Sequence, residues 1–263
     1  MFFPLHDENK LKAIRFQYVT TALIVANVLV YLLEATGLTE ATIASFAIVP
    51  RELIDAGIIG GGSAPGGPDA IALPERYTLL SYMFFHGDPL HLAGNMLFLW
   101  LFGDNVEDAM GHVKFLIFYL LCGIIAGVVH ALVVNGADVP AIAALADGTA
   151  VDAAVDAARS PLIGASGAVA GVIAAYLMLY PRVMVWGVAF KIFPLRITAA
   201  FALGLWILTQ LVMVMLPQAG PVAWWAHIGG LIAGAVLVIF MRRPGWPLFE
   251  KGQENRGLIS LGK

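Results

Sequence analysis

The chain has 263 residues, 60% of them hydrophobic and only 13% charged, with a formal net charge of −3. An ordinary soluble domain carries roughly 25% charged residues, and its core does not need apolar runs of about 20 residues. The charge balance gives no footprint for nucleic acid, and a single cysteine, Cys122, excludes an internal disulfide framework and reads as a small packing residue.

In chain order, residues 16–33 form an uncharged run of 18. It is longer than the apolar core of a signal peptide, and Leu33-Glu-Ala-Thr-Gly37 is a poor cleavage site, so the segment reads as a retained helix. A long loop over residues 34–88 follows. Its glycine-rich stretch, residues 60–68, resists regular structure. Residues 77–85 are too apolar for a wet loop and are expected in the interface or against the bundle. Residues 89–103 form a shorter run of 15, a helix expected to start below the surface, sheltered by protein. Residues 115–137 give an uncharged run of 23 and residues 162–180 one of 19. Between them, residues 136–161 are rich in Ala and Asp and suit a short surface helix or a mobile loop. Residues 197–241 are uncharged throughout, and Pro217-Gln-Ala-Gly-Pro221 divides them into two segments of 20. At 1.5 Å per residue about 20 residues cross a ~30 Å hydrocarbon core. The expected architecture is an all-α polytopic membrane protein, a bundle of six transmembrane helices over residues 16–241 with tails at 1–15 and 242–263. No repeat or separate soluble domain interrupts it.

Orientation follows from Lys and Arg. The amino tail, the 2–3 loop, the 4–5 loop and the carboxyl tail share one side and hold 12 of these residues, from Lys10 to Lys263. The other side holds 3: Arg51, Arg76 and Arg159. The excess places both termini in the cytoplasm, and the expected location is a bacterial inner (plasma) membrane.

Three phrases sit on this frame: His91-Leu-Ala-Gly-Asn95, Gly164-Ala-Ser166-Gly167 and Ala226-His227-Ile-Gly-Gly230. Reactive side chains at membrane depth are costly and therefore functional by default. Ser166 lies 16 residues before Arg182, and His227 lies 15 before Arg242. On helices running the same way, both stand roughly 22–24 Å above the inner interface. That matching depth suits a nucleophile and its base, which must approach within about 3 Å. His227, Gly230 and Gly234 share a helix face, and Gly167 and Gly171 form a similar small face beside Ser166. Small residues let membrane helices approach closely; taken alone, these glycines also suit helix packing of any kind. Neither of the two helices carries Asp or Glu, so the arrangement is a dyad whose imidazole is oriented by packing or a weaker hydrogen bond.

His91 and Asn95, four residues apart, face one way and suit an oxyanion site, with the backbone N–H of Ser166 as a third donor. His86 and His91 could instead be interfacial or metal-binding, but no carboxylate or thiolate cluster accompanies them at a zinc-like spacing. His6, His112 and His130 have no motif around them.

The combination resembles the rhomboid family of intramembrane serine proteases, on His86, His91 and Asn95, the Gly164–Gly167 phrase, and the Ala226–Gly230 phrase with Gly234. Phe102-Gly103 followed by Glu107 is also similar to the family's signature after the second helix. The resemblance implies Ser166 as nucleophile, His227 as base, and Asn95, His91 and the Ser166 amide as the oxyanion site. It implies structural roles for His86 and Glu107, in the first loop and at the inner end of helix two. Two departures stand out. Where the family often has a Trp-Arg pair this chain reads Tyr77-Thr78, with Arg76 just before it, and where many members carry an aromatic residue four after the serine it has Ala170. The implied activity is endopeptidase cleavage of single-span membrane proteins near the outer end of their helix. Partners are those substrates and the bilayer; no cofactor, metal or nucleic acid is implied. A non-catalytic helix-binding protein normally lacks the serine or the histidine. A transporter should show broken helix pairs or intramembrane acids.

Overall fold

A computed structural model describes residues 2–58, 70–71, 73–136, 158–189, 193–216 and 222–250. The glycine-rich stretch, most of the Ala/Asp-rich third loop, the turn at residues 217–221, and Lys191, Lys251, Arg256 and Lys263 lie outside the described residues. Six helices of 14 residues or more are present among those described: α1 Tyr18–Ala35, α2 Pro89–Met110, α3 His112–Gly136, α4 Ser166–Leu179, α5 Ala199–Val214 and α6 Trp224–Met241. By length and composition α1, α3 and α6 can each cross a membrane, while α4 and α5 are apolar but shorter.

Two of these helices depart from the boundaries read from charge. The fourth apolar run becomes helical only at Ser166. Pro161 and Gly164, at φ 121°, keep the preceding residues extended, and Leu162 forms a two-bond bridge with Ile48 of the first loop. Helix α2 runs past its apolar stretch to Met110, because its last polar residues are buried with partners. At its other end Asp88 accepts hydrogen bonds from the amides of Leu90 and His91, with Pro89 in the first turn.

Helix α4 is the centre of the bundle. Every residue from Gly167 to Tyr176 is buried, against α2, α3 and α6. Helix α1 leans on α2 and α3, and α5 leans on α6 and α4 from one side. Outward faces of α1, α5 and α6 present Leu29, Leu32, Leu33, Phe201, Leu205, Ile232 and Phe240. That much exposed apolar surface is a liability in water and a match for lipid. Residues 77–85 pack against α3: Tyr82 and Met83 are buried, and the Tyr82 hydroxyl donates to the Gly123 carbonyl at 2.7 Å.

The expectation of an all-α chain is corrected at the basic end. The molecule is mostly helical, but β1 Phe2–Asp7, β2 Met184–Ala189 and β3 Phe193–Thr198 form an antiparallel sheet in the order β1-β2-β3. Trp186 stands opposite Arg196 in the β2–β3 register. The 4–5 loop carries the signal in its alternation, with Val185 and Gly187 buried and Trp186 exposed between them. Around this sheet, the Asp108 carboxylate accepts from the amides of Lys12, Ala13 and Ile14. Glu107, fully buried, accepts from the amides of Val19 and Thr20 and from the Thr20 hydroxyl, satisfying the otherwise free first-turn donors of α1.

Asp7 is buried here, accepting from the Tyr176 hydroxyl at 2.5 Å and the Asn105 amide at 3.3 Å. Burial raises its carboxyl from the ordinary 3.8 to about 6, against the opposing Tyr176 hydrogen bond. Below pH 3.8 the group is protonated in folded and unfolded chains alike. As pH rises from there through 6 the unfolded chain ionises first, so stability is lost over that window and stays lower above it. Asp7→Asn keeps the acceptor and removes the charge. Its thermal unfolding midpoint in detergent should exceed that of the unsubstituted protein at pH 7.5 and converge with it near pH 4. A variant less stable at pH 7.5 contradicts this account.

Candidate active site

Ser166 occupies the first position of α4 and is half-buried. Its turn is built by Gly164, whose positive φ of 121° is costly for other residues and whose amide donates to the Tyr82 carbonyl at 2.9 Å. A side chain at Gly164 is also excluded by space: a Cβ there would lie 2.7 Å from Cε1 and 2.8 Å from Nε2 of His91. The His91 ring therefore rests on the backbone just ahead of the serine. Ser166 and Gly167, in the first turn of α4, have amides with no intrahelical acceptor.

Helices α4 and α6 meet backbone to backbone. A Cβ on Gly230 would lie 1.9 Å from the Gly167 carbonyl oxygen, and one on Gly234 would lie 2.1 Å from that of Gly171. Both pairs advance together by one turn, so the helices are parallel and in one register. That register sets Ser166 level with Gly229, two residues or about 3 Å along the axis from His227. The glycines are what allow this approach.

Around Ser166 and His227 stand the polar groups of α2 and the loop before it. His86 and His91 meet edge to face with ring centroids 5.1 Å apart. The Ala165 amide makes a long hydrogen bond, 3.5 Å, to Nε2 of His86. Burial, then the neighbouring His91, lowers His86 to about 4, so its ring is neutral near pH 7 and Nε2 is free to accept. The His86 amide is in turn held by the Glu34 carboxylate at 3.2 Å. Asn95, one turn below His91 on α2, is buried, and its Nδ2 finds no hydrogen-bond partner among the described residues. A buried amide donor without a partner is unusual in a native protein. His91 and His130 both lie within electrostatic reach of His227.

The His227 ring, 8% exposed, is enclosed by side chains from α5 and from its own helix. Trp206 lies 5.9 Å from it, ring centroid to ring centroid and tilted by 35°, and Trp224 stands edge-on at 5.8 Å. Nδ1 of His227 is 2.7 Å from Oε1 of Gln210.

A model of the rhomboid domain matches residues 74–244, more than half of the chain. The chain belongs to the rhomboid family. Among its relatives, RHOMBOID-like protein 12, mitochondrial, of Arabidopsis thaliana is 27% identical over 67% of this chain and 47% of its own length. RHOMBOID-like protein 6, mitochondrial, of the same plant is 26% identical over 68% and 49% respectively. RHOMBOID-like protein 5 is 29% identical over 65% and 46%. The chain thus spans about half the length of the curated relatives it matches. It is an integral membrane protein of this family.

Against the rhomboid pattern, the chain has no aromatic residue at position 170. Ala170 is fully buried beside Gly230, where a Cβ would already meet its own at 3.3 Å, so a large ring has no room. The rings against His227 are instead Trp206 of α5 and Trp224 of α6. Glu107 also takes the Nδ1 of His112 at 2.5 Å, so His112, without a motif in the sequence, joins the carboxyl end of α2 to the start of α3. Trp206 and Gln210 are the two residues that sequence reasoning missed. The available signal was Gln210 itself, an amide well inside an uncharged run, one turn after a tryptophan.

Proposed function

We propose that this rhomboid-family protein is an intramembrane serine endopeptidase acting through Ser166 and His227. The observation that supports the reading is the Gly167/Gly230 contact, whose register leaves the half-buried serine at the start of α4 about 3 Å along the helix axis from a buried, aromatic-flanked histidine. In the reaction His227 takes the Ser166 hydroxyl proton as Oγ attacks a substrate peptide carbonyl. The oxyanion is received by the Ser166 amide, Nδ2 of Asn95 and His91. Collapse breaks the C–N bond, the proton held by His227 passes to the leaving amine, and a water molecule then hydrolyses the acyl-enzyme by the same route.

All six long helices cross the membrane in this reading, with the side that holds twelve Lys and Arg, against three on the other, facing the cytoplasm across a plasma membrane. Residues 16–241 form the catalytic domain, and residues 1–15 and 242–263 its cytoplasmic flanks. Ser166 lies 16 residues before Arg182, roughly 22–24 Å above the inner face of a ~30 Å core, and the hydroxyl is therefore below the outer interface. A lipid-embedded substrate helix hides its carbonyls in hydrogen bonds and must unwind before attack. Substrates are therefore single-span proteins with helix-weakening Gly or Pro near their outer end, entering between α2 and α5.

A fluorophosphonate probe, followed by mass spectrometry of a cleaved model substrate, tests the reading. Ser166 should be labelled, and the cuts should cluster toward the outer end of the substrate helix. An unlabelled protein that still captures transmembrane helices would identify a non-catalytic binder. Asn95→Ala should leave labelling detectable and slow turnover about 10²–10³-fold, the usual effect of one oxyanion donor. Full rate in that variant across several substrates would assign Asn95 to packing.

A further inference from the structure

We infer that Gln210, on α5, is the positioning residue of the His227 base, giving the imidazole the orientation and tautomer that proton abstraction from Ser166 requires. The inference rests on the hydrolase reading above and adds a third member to its dyad.

The geometry determines the direction of each hydrogen bond. Nε2 of Gln210 lies 3.0 Å from the Trp206 carbonyl oxygen, which can only accept, so the amide nitrogen is on that side. The amide oxygen is therefore the atom that faces Nδ1 of His227 at 2.7 Å. An amide oxygen carries no hydrogen, so the ring must donate through Nδ1. In a neutral imidazole one nitrogen donates and the other accepts, which leaves Nε2 unprotonated, the state a general base needs. The opposite tautomer would press two lone pairs together in a buried site: Gln210 is 3% exposed and His227 8%.

A glutamine also fits its surroundings. The apolar runs of α4, α5 and α6 hold no carboxylate, and a charge at that depth is expensive. A neutral amide supplies the acceptor without it. Trp206, one turn earlier on α5, both accepts the amide N–H and lies against the imidazole, so one face of α5 sets the ring's plane and its proton together. A glutamine that only filled space would need neither bond.

The test compares Gln210→Leu and Gln210→Glu in the full-length protein, with cleavage of a transmembrane substrate followed against pH and ¹⁵N-histidine spectra recorded on the same samples. Loss of the acceptor in Gln210→Leu should lower kcat about 10²–10⁴-fold with KM little changed, as loss of the orienting acceptor does in a triad. Gln210→Glu should recover much of kcat. Its acid limb should move to higher pH, because a carboxylate beside the ring favours the protonated imidazole. A role in packing alone predicts the reverse order, with leucine tolerated and the buried acid harmful. The His227 signal, assigned by comparison with His227→Ala, should show Nδ1 protonated in the unsubstituted protein and mixed tautomers in Gln210→Leu.

Wild-type kcat in Gln210→Leu, or an unprotonated Nδ1 in the unsubstituted protein, overturns the inference. If Gln210→Leu fails to fold, the spectrum of the unsubstituted protein decides alone. Absence of both labelling and cleavage in the unsubstituted protein overturns the hydrolase reading instead, while the tautomer still reports whether Gln210 governs the ring.

Discussion

Ser166→Ala and His227→Ala should each abolish cleavage of a model transmembrane substrate, by about 10⁴–10⁶-fold, with the double variant no worse than either single one. A serine hydroxyl is a weak nucleophile without a base to take its proton, and the base has no task without the hydroxyl. The two losses are therefore one loss counted twice. Both proteins should fold, since Ser166 is small and half-buried and the α4–α6 seam is made by glycine backbone rather than by either side chain. Single-turnover assays in proteoliposomes, with thermal unfolding as the control, read both parts. Appreciable turnover by either variant, or losses that simply add, would remove the dyad assignment.

Gly230→Ala should slow cleavage by about 10²-fold, though it adds a single methyl group far smaller than any catalytic part. The new Cβ would stand 1.9 Å from the carbonyl oxygen and 2.9 Å from the carbonyl carbon of Gly167. Those atoms are backbone and cannot turn aside as the end of a side chain could, so the helices must separate. A misplacement of about 1 Å between reacting groups is worth roughly 10²-fold in rate, and overpacking of this kind typically costs about 1–3 kcal/mol in stability. Gly204 on α5 is the matched control: a Cβ there meets nothing within 4 Å, and Gly204→Ala should change neither rate nor unfolding midpoint. Activity of Gly230→Ala close to that of the unsubstituted protein would mean that the seam does not set the distance between serine and histidine.

The two variants mark different kinds of information in the chain. Membrane residence is a summed property, legible from the 60% hydrophobic content and the spacing of the charges, because transfer into lipid adds up residue by residue. The glycine faces on α4 and α6 were legible for a related reason: a helical period places positions three and four apart on one side whatever surrounds them. The fold class was read less well. Alternation in residues 184–189 signals a strand, yet its partner strand β1 spans Phe2–Asp7 at the far end of the chain, and no local pattern says that the amino terminus returns to that strand. The boundaries of α2 and α4 were misread for a similar reason. Charge at the end of α2 looks like an exit from the membrane until Glu107 and Asp108 are seen to be buried against the backbone of residues 12–20.

Sequence alone determined that this is a membrane-embedded chain of the rhomboid family with a serine, a histidine and an asparagine as candidate chemistry, because those features are local phrases on segments whose length and polarity are set by the bilayer. Only the tertiary structure decided what surrounds the histidine. Trp206 and Gln210 belong to no phrase, and the residue expected to carry the ring, at position 170, is an alanine. Side-chain hydrogen bonds and ring contacts between helices depend on crossing geometry and rotation, which hydrophobic periodicity does not encode. An acceptor 17 residues away on a neighbouring helix becomes a partner of Nδ1 only once α5 and α6 are packed.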